Sequence, residues 1–274
     1  MSTQGSAILP IREVEKPWGR DKLPAPFTAP EGKRIGEIWF EPPAALPQLL
    51  VKYIFTSEAL SVQVHPSNAE TVLKGLGKQG KEECWLIVDA EPDAVLGIGF
   101  EEPVSPQAMR AAAEDGSIER LMQWHQVRAG DFFYIPAGTV HAIGAGISLI
   151  EVQQNSDITY RLYDYGRPRE LHLDDGIAVA RGEPYPAECK LHMPDHADVT
   201  LVEGPLFRLD QIEGLPNEDV AARYGAGPLL VIPRRGAARI GTEPIAPGGC
   251  GLALDLDRVA FDENGACLIA QPTA

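Results

Sequence analysis

Along the first two thirds of the chain, apolar residues gather in short runs, many of them alternating with polar ones and set apart by glycine and proline. The segments GEIWFEP, LLVKYIFT, LSVQVH, ECWLIVDA, AVLGIGF, GDFFYIP and GISLIEVQQ predict strands with one face buried. Helical periodicity is confined to three places. Residues 105–124 (SPQAMRAAAEDGSIERLMQW) predict the clearest helix, opening on Ser105 with Pro106 in the first turn. Residues 68–77 and 174–182 predict shorter ones. A stretch rich in proline and charge at 181–195 marks a boundary, after which DVTLVEG, LFRLDQIEG, PLLVIPRRG, GCGLALDLDRVAF and ACLIAQP predict short strands again. The pattern is that of a mainly β protein in two sections. Residues 1–190 carry the added helices, and residues 191–274 form a smaller β section. No solenoid-length repeat or low-complexity tract interrupts it.

At 274 residues and 44% hydrophobic content, the chain has ample material for a core. The formal net charge of −15 disfavours nucleic acid and anionic membrane as partners. An anionic ligand would therefore need a local basic pocket. The four cysteines, Cys84, Cys189, Cys250 and Cys267, have neither zinc-knuckle nor redox spacing. The amino-terminal MSTQGSAILPIREVEKPWG lacks the pattern of a signal peptide, and no apolar run reaches membrane-spanning length. A cytoplasmic protein with reduced thiols is expected.

The chemistry concentrates in GDFFYIPAGTVHAIG, residues 130–144. Gly130, Pro136, Gly138 and His141 stand in the pattern glycine, five residues, Pro-x-Gly-x-x-His. A strand to Pro136, a tight turn at Gly138 and a returning strand opened by His141 would aim an imidazole into the mouth of a small barrel. This spacing resembles the second motif of the cupin superfamily. Upstream, Gln63 and His65 lie two apart on one strand and share a face, and Glu83 opens ECWLIVDA. Two imidazoles, a carboxylate and an amide oxygen suit one zinc, or another divalent first-row metal. Ser61 shares the face of Gln63 and is a candidate substrate contact. His125, His172, His192 and His196 match no ligand spacing and read as structural or surface residues. Trp18, Trp39 and Trp85 read as barrel packing, with Trp18 alternatively at the pocket mouth.

The blocks KPWGRDKL, IGEIWFEP, LSVQVHP, KEECWLIV, GDFFYIPAGTVHAIG, EVQQNSDITYRLYDYGR and GPLFRLDQIEG resemble, in order, the short bacterial form of the type I phosphomannose isomerases. The resemblance is strongest from residue 16 to about 180 and weaker after 210. It implies a cupin fold, a double-stranded β-helix or jelly-roll barrel, with a degenerate second copy at the carboxyl end. It makes Gln63, His65, Glu83 and His141 the ligands of one catalytic zinc, and places Lys81, Asp157 and Arg161 at the active site. The implied reaction interconverts mannose 6-phosphate and fructose 6-phosphate through a cis-enediol. Proton transfer falls to Lys81 or Asp157, and Lys81 and Arg161 are also substrate contacts. Two departures stand out: Gly80 where longer members have a histidine, and Arg20 where many have glycine. Arg161 has an alternative reading as a surface partner of Asp164. Two other functions fit the same residues: a cupin metalloenzyme of another specificity, such as an iron dioxygenase, and a sugar-phosphate sensor without turnover. Oligomeric state is left open.

Overall fold

A computed structural model describes residues 7–194 and 196–273. The first six residues of the amino-terminal stretch, Asp195 of the 181–195 segment, and Ala274 lie outside the description. The fold is mainly β, in four antiparallel sheets. A seven-stranded sheet runs in the order Lys190–His192, Asp131–Ile135, Glu83–Ala90, Ile147–Gln154, Leu49–Phe55, Ile35–Phe40, Ile11–Arg20. Facing it, a five-stranded sheet runs Tyr160–Tyr163, Val62–Val64, His141–Ile143, Val95–Phe100, Met122–Gln126.

Strict alternation decides which residues line the space between these two sheets. In Glu83–Ala90, Cys84 and Leu86 join an apolar cluster on the outer face, while Trp85 and Ile87 join the inner one. Glu83 therefore points inward with them. In Val62–Val64 the two valines face outward onto Met109, Ala112 and Ile118, so Gln63 faces inward. The same parity turns His141 inward beside Ile143.

The outer face of the seven-stranded sheet is covered by a six-stranded sheet built mostly from residues 199–272. Ala7–Ile8 pairs with Gly251–Ala253 in that sheet, and Lys190–His192 pairs with Asp131–Ile135 in the other. Leu49, Val51, Phe55 and Ile150 meet Phe207, Leu209, Ile232 and Leu268 in one continuous core. Each such side chain contributes about 1.5–3 kcal/mol when removed from water. A three-stranded sheet (Glu243–Ile245, Ala238–Ile240, Val259–Phe261) closes the far side over Val231, Tyr224 and Ile269.

The helix expected over 105–124 is shorter. It runs Pro106–Asp115 behind a Ser105 cap that accepts from the Ala108 amide. Gly116, at φ +80°, ends it in the left-handed region, where Cβ-bearing residues are strained. One further turn, Ile118–Leu121, precedes a strand, Met122–Gln126, which pairs with Val95–Phe100. Edge pairing outweighs helical propensity there. The 68–77 helix stops at Leu73, before two glycines of positive φ at 75 and 77. The 174–182 helix is Leu173–Val179. The strand Ile11–Arg20 and the helix Glu218–Tyr224 had no counterpart in the hydrophobic pattern.

Candidate metal centre

Three distant segments bring His65, Glu83 and His141 together, with one donor atom from each lying within 4.8 Å of the others. His65 Nε2 is 3.6 Å from Glu83 Oε2, and His141 Nε2 is 3.3 Å from Glu83 Oε1. All three side chains are buried. The turn at Gly138 (φ +84°) helps set this up, because its amide donates to the His65 carbonyl at 2.8 Å and ties the two histidine-bearing segments together.

Each imidazole is oriented by a backbone carbonyl. His65 Nδ1 donates to Ile158 O at 2.8 Å, and His141 Nδ1 donates to Thr139 O at 2.9 Å. That tautomer leaves the Nε2 lone pairs facing Glu83, the arrangement metal-binding histidines use. Burial pushes His65 well below its ordinary pKa and His141 down to about 4, so both rings are neutral near pH 7. Burial pushes the Glu83 carboxyl upward, against the pull of Lys81. Neither Glu83 oxygen is satisfied by a well-aligned hydrogen bond, although the Lys81 ammonium stands 2.6 Å from Oε2. Lys81 thus offsets the charge at Oε2, whereas Oε1 is buried without a donor, which is costly unless a cation completes it. The donor set and the unpartnered Oε1 fit a divalent metal ion.

Gln63 stands beside this cluster, its amide nitrogen 3.2 Å from His141 Nε2 and its Oε1 accepting from Ser61 Oγ at 3.2 Å. Half a turn of the amide exchanges the two and presents oxygen to the centre. Lys81 bridges His65 Nε2 (3.1 Å) and Glu83. Burial works against its charge, but the carboxylates of Glu151 and Glu83 outweigh burial and hold its pKa above the ordinary range.

A cavity of about 390 Å³ opens over the cluster, within the range of small-molecule sites. Ser61, Gln63, Lys81, Asp157 and Arg161 all line it. Arg161 does not pair with Asp164, whose carboxylate is taken by Arg167 and Arg169 at 2.6–2.7 Å. Trp18 and Trp39 also face the cavity, while Trp85 is fully buried beneath His141, with ring centroids 5.3 Å apart.

Several lining residues had no motif to announce them. Lys52 forms a buried pair with Glu151 (2.9 Å) and reaches Gln153 Oε1 at 2.5 Å, while Trp85 Nε1 donates to the other Glu151 oxygen at 3.0 Å. Lys16, Arg169 and His172 also line the cavity. Their signal lay in strand parity: Lys52 and Glu151 are directly opposed in register, on the inner face. With Lys16, Lys52, Lys81, Arg161 and Arg169 against Glu37, Glu151 and Asp157, the cavity is locally basic in an acidic protein. The glycine at 80 also has a reason. A Cβ there would lie 2.2 Å from Pro66 O and 2.4 Å from Ser67 C, so this loop admits no side chain at 80.

The cupin fold and the His-Glu-His cluster define a protein with a buried cluster that could hold a metal ion, beside a polar cavity. No family model matches the chain. Mannose-6-phosphate isomerase ManA of Bacillus subtilis is 40% identical over 168 residues, covering 58% of this chain and 53% of that protein. Mannose-6-phosphate isomerase of Streptococcus mutans is 39% identical over 202 residues, covering 70% and 62%. The chain thus spans between about half and three fifths of the length of these curated relatives. The solved mannose 6-phosphate isomerase of B. subtilis superposes with a TM-score of 0.78 over 98% of this chain and 100% of that one, at 23% identity. A putative mannosephosphate isomerase from Archaeoglobus fulgidus gives 0.72 at 18% identity over the whole of both chains. The chain is a homologue of the mannose-6-phosphate isomerases and carries their fold. Among the described residues, no helix is long and apolar enough to cross a membrane.

Proposed function

We propose that this chain is a cytoplasmic, zinc-dependent aldose–ketose isomerase that interconverts mannose 6-phosphate and fructose 6-phosphate. The observation that carries the reading is the convergence of His65, Glu83 and His141 beneath a basic cavity of ligand size. Those three residues, with Gln63 as fourth donor, would hold the metal. A bound divalent cation polarises a carbonyl oxygen and offsets the negative charge that develops on it. Residues 1–190 would supply the catalytic machinery and residues 191–274 its packing support.

The reaction moves two protons. One leaves C2 of the open-chain aldose while charge builds on the C1 oxygen, and is delivered to C1; the other passes from the C2 hydroxyl to the C1 oxygen, so that the cis-enediol collapses to the C2 carbonyl of the ketose. Arg161 sits beside Gln63 in register and supplies fixed positive charge near that oxygen. Lys81 and Asp157 are the two proton carriers within the cavity. Ser61 is placed to contact a substrate hydroxyl. A chain with this donor set but no turnover would be a sugar-phosphate sensor.

The test is a coupled assay for fructose 6-phosphate, run on metal-stripped and zinc-restored protein. Turnover that returns with zinc supports the reading, and none after full zinc loading defeats it. Arg161→Ala should keep its zinc while losing roughly a hundredfold or more in kcat.

A further inference from the structure

His172 carries no motif, yet it occupies a defined place in the cavity. In register His141 is opposite Gln63, and Gln63 is opposite Arg161. His172 extends this row by one more step. Its amide donates to Arg161 O at 2.7 Å, and the Arg161 amide donates to His172 Nδ1 at 3.2 Å. An Nδ1 that accepts must leave the proton on Nε2. That N–H has no hydrogen-bond partner among the described residues, and the ring lines the cavity. Two strand spacings, roughly 10 Å, separate its backbone from that of Gln63. That is about the reach of an extended hexose from its carbonyl end to a phosphate on C6.

The two ends of the cavity differ in how their cations are matched. Lys52 is paired with Glu151, and Lys16 with Glu37 at 3.4 Å. At the His172 end, Arg169 is paired with Asp164 at 2.6 Å, but the Arg161 side chain donates only to the backbone carbonyl of Glu170, at 3.1 Å, and has no carboxylate within 4.0 Å among the described residues. Arg169 stands close enough that, after burial, its charge is the next largest influence lowering the Arg161 pKa. Arg169 and the unused His172 N–H share this end of the cavity and suit a multivalent oxyanion, while the unmatched Arg161 charge is left for the reacting oxygen.

We propose that His172 donates its Nε2–H to the phosphate of the sugar phosphate, at the Arg169 end of the cavity, while its Nδ1 positions the Arg161 backbone. The proposal rests on the sugar-phosphate reading above and adds which end of the site takes the phosphate.

The test is calorimetric binding of inorganic phosphate to the zinc-loaded full chain, with the KM for mannose 6-phosphate measured in parallel. His172→Ala should weaken phosphate binding and raise KM by roughly tenfold, the loss of one hydrogen bond to a charged group, with zinc content unchanged. His172→Gln, whose amide can replace the Nε2 donor, should stay within about threefold of wild type. His172→Asn keeps an acceptor for the Arg161 amide but lacks the distal donor, and should behave like His172→Ala. If the alanine variant does not fold, the Gln and Asn pair decides. Wild-type phosphate affinity in the Ala or Asn variant, or a glutamine variant as weak as the alanine one, overturns the proposal, as does a wild type that binds no phosphate. A wild type that binds phosphate through His172 but does not turn over defeats the isomerase reading alone. Turnover indifferent to His172 defeats this proposal alone.

Discussion

Of the three spaces enclosed between antiparallel sheets, two differ most in what fills them. Between the six- and three-stranded sheets the interior is apolar: Val231, Ile240, Ile245 and Ile269 close it, with Tyr224 the largest side chain. Between the seven- and five-stranded sheets the inner face divides along the strands. Ile54, Ile87 and Leu149 fill one end, while Lys52, Glu83, Glu151 and Gln153 occupy the other, with Trp85 at the seam. The backbone pattern does not separate the two spaces. What separates them is the residue type at inward positions, and the buried charge of the first is tolerated because nearly every group has a partner there.

The comparison can be broken first by moving charge into the apolar space. Val231→Glu should destabilise the chain by roughly 3–5 kcal/mol, since that position lies in an apolar cluster, and urea unfolding would measure it. A loss below about 1 kcal/mol would mean the second interior is as tolerant as the first. Because one apolar cluster joins the two sections, unfolding should be a single transition.

Next in size is the pair inside the polar half. Lys52→Met should cost about 3 kcal/mol by stranding Glu151, whereas Lys52→Met with Glu151→Leu should recover most of it. Burial alone would raise the Glu151 pKa, but Lys52 and then Lys81 outweigh it and hold it down near 2. A depressed folded pKa gives stability that is complete above about 4.5 and disappears as pH falls toward 2. The acid limb of the stability curve should therefore flatten over that window in the double variant; an unchanged limb would remove Glu151 from the explanation.

The smallest effect concerns a single hydroxyl. Ser61→Ala should raise KM by less than about tenfold and leave zinc content alone, because one neutral hydrogen bond is worth about 1 kcal/mol. A loss of zinc would instead make Ser61 essential for holding Gln63.

Much of this contrast could be read from the residues. Period-two runs predicted most strands, ECWLIVDA to its exact ends, and Pro-x-Gly-x-x-His with Gln-x-His predicted which imidazoles converge. Lys52 escaped notice because LLVKYIF reads as a buried run with one interruption; only the register with Glu151 shows that the interruption faces a partner. His172 was set aside as structural because what holds it is the Arg161 backbone, and backbone partners leave no spacing signal. Ile11–Arg20 was missed because charge and Pro17 blur its alternation on an edge of the sheet.

Everything distinctive about the first interior depends on a cation joining His65, Glu83 and His141. The direct measurement is elemental analysis of the purified chain after zinc loading and desalting. Wild type should retain one zinc per chain, and His141→Ala should retain almost none while keeping its fold by circular dichroism. A wild type that holds no metal, or a His141→Ala variant that holds as much as wild type, would contradict the metal centre.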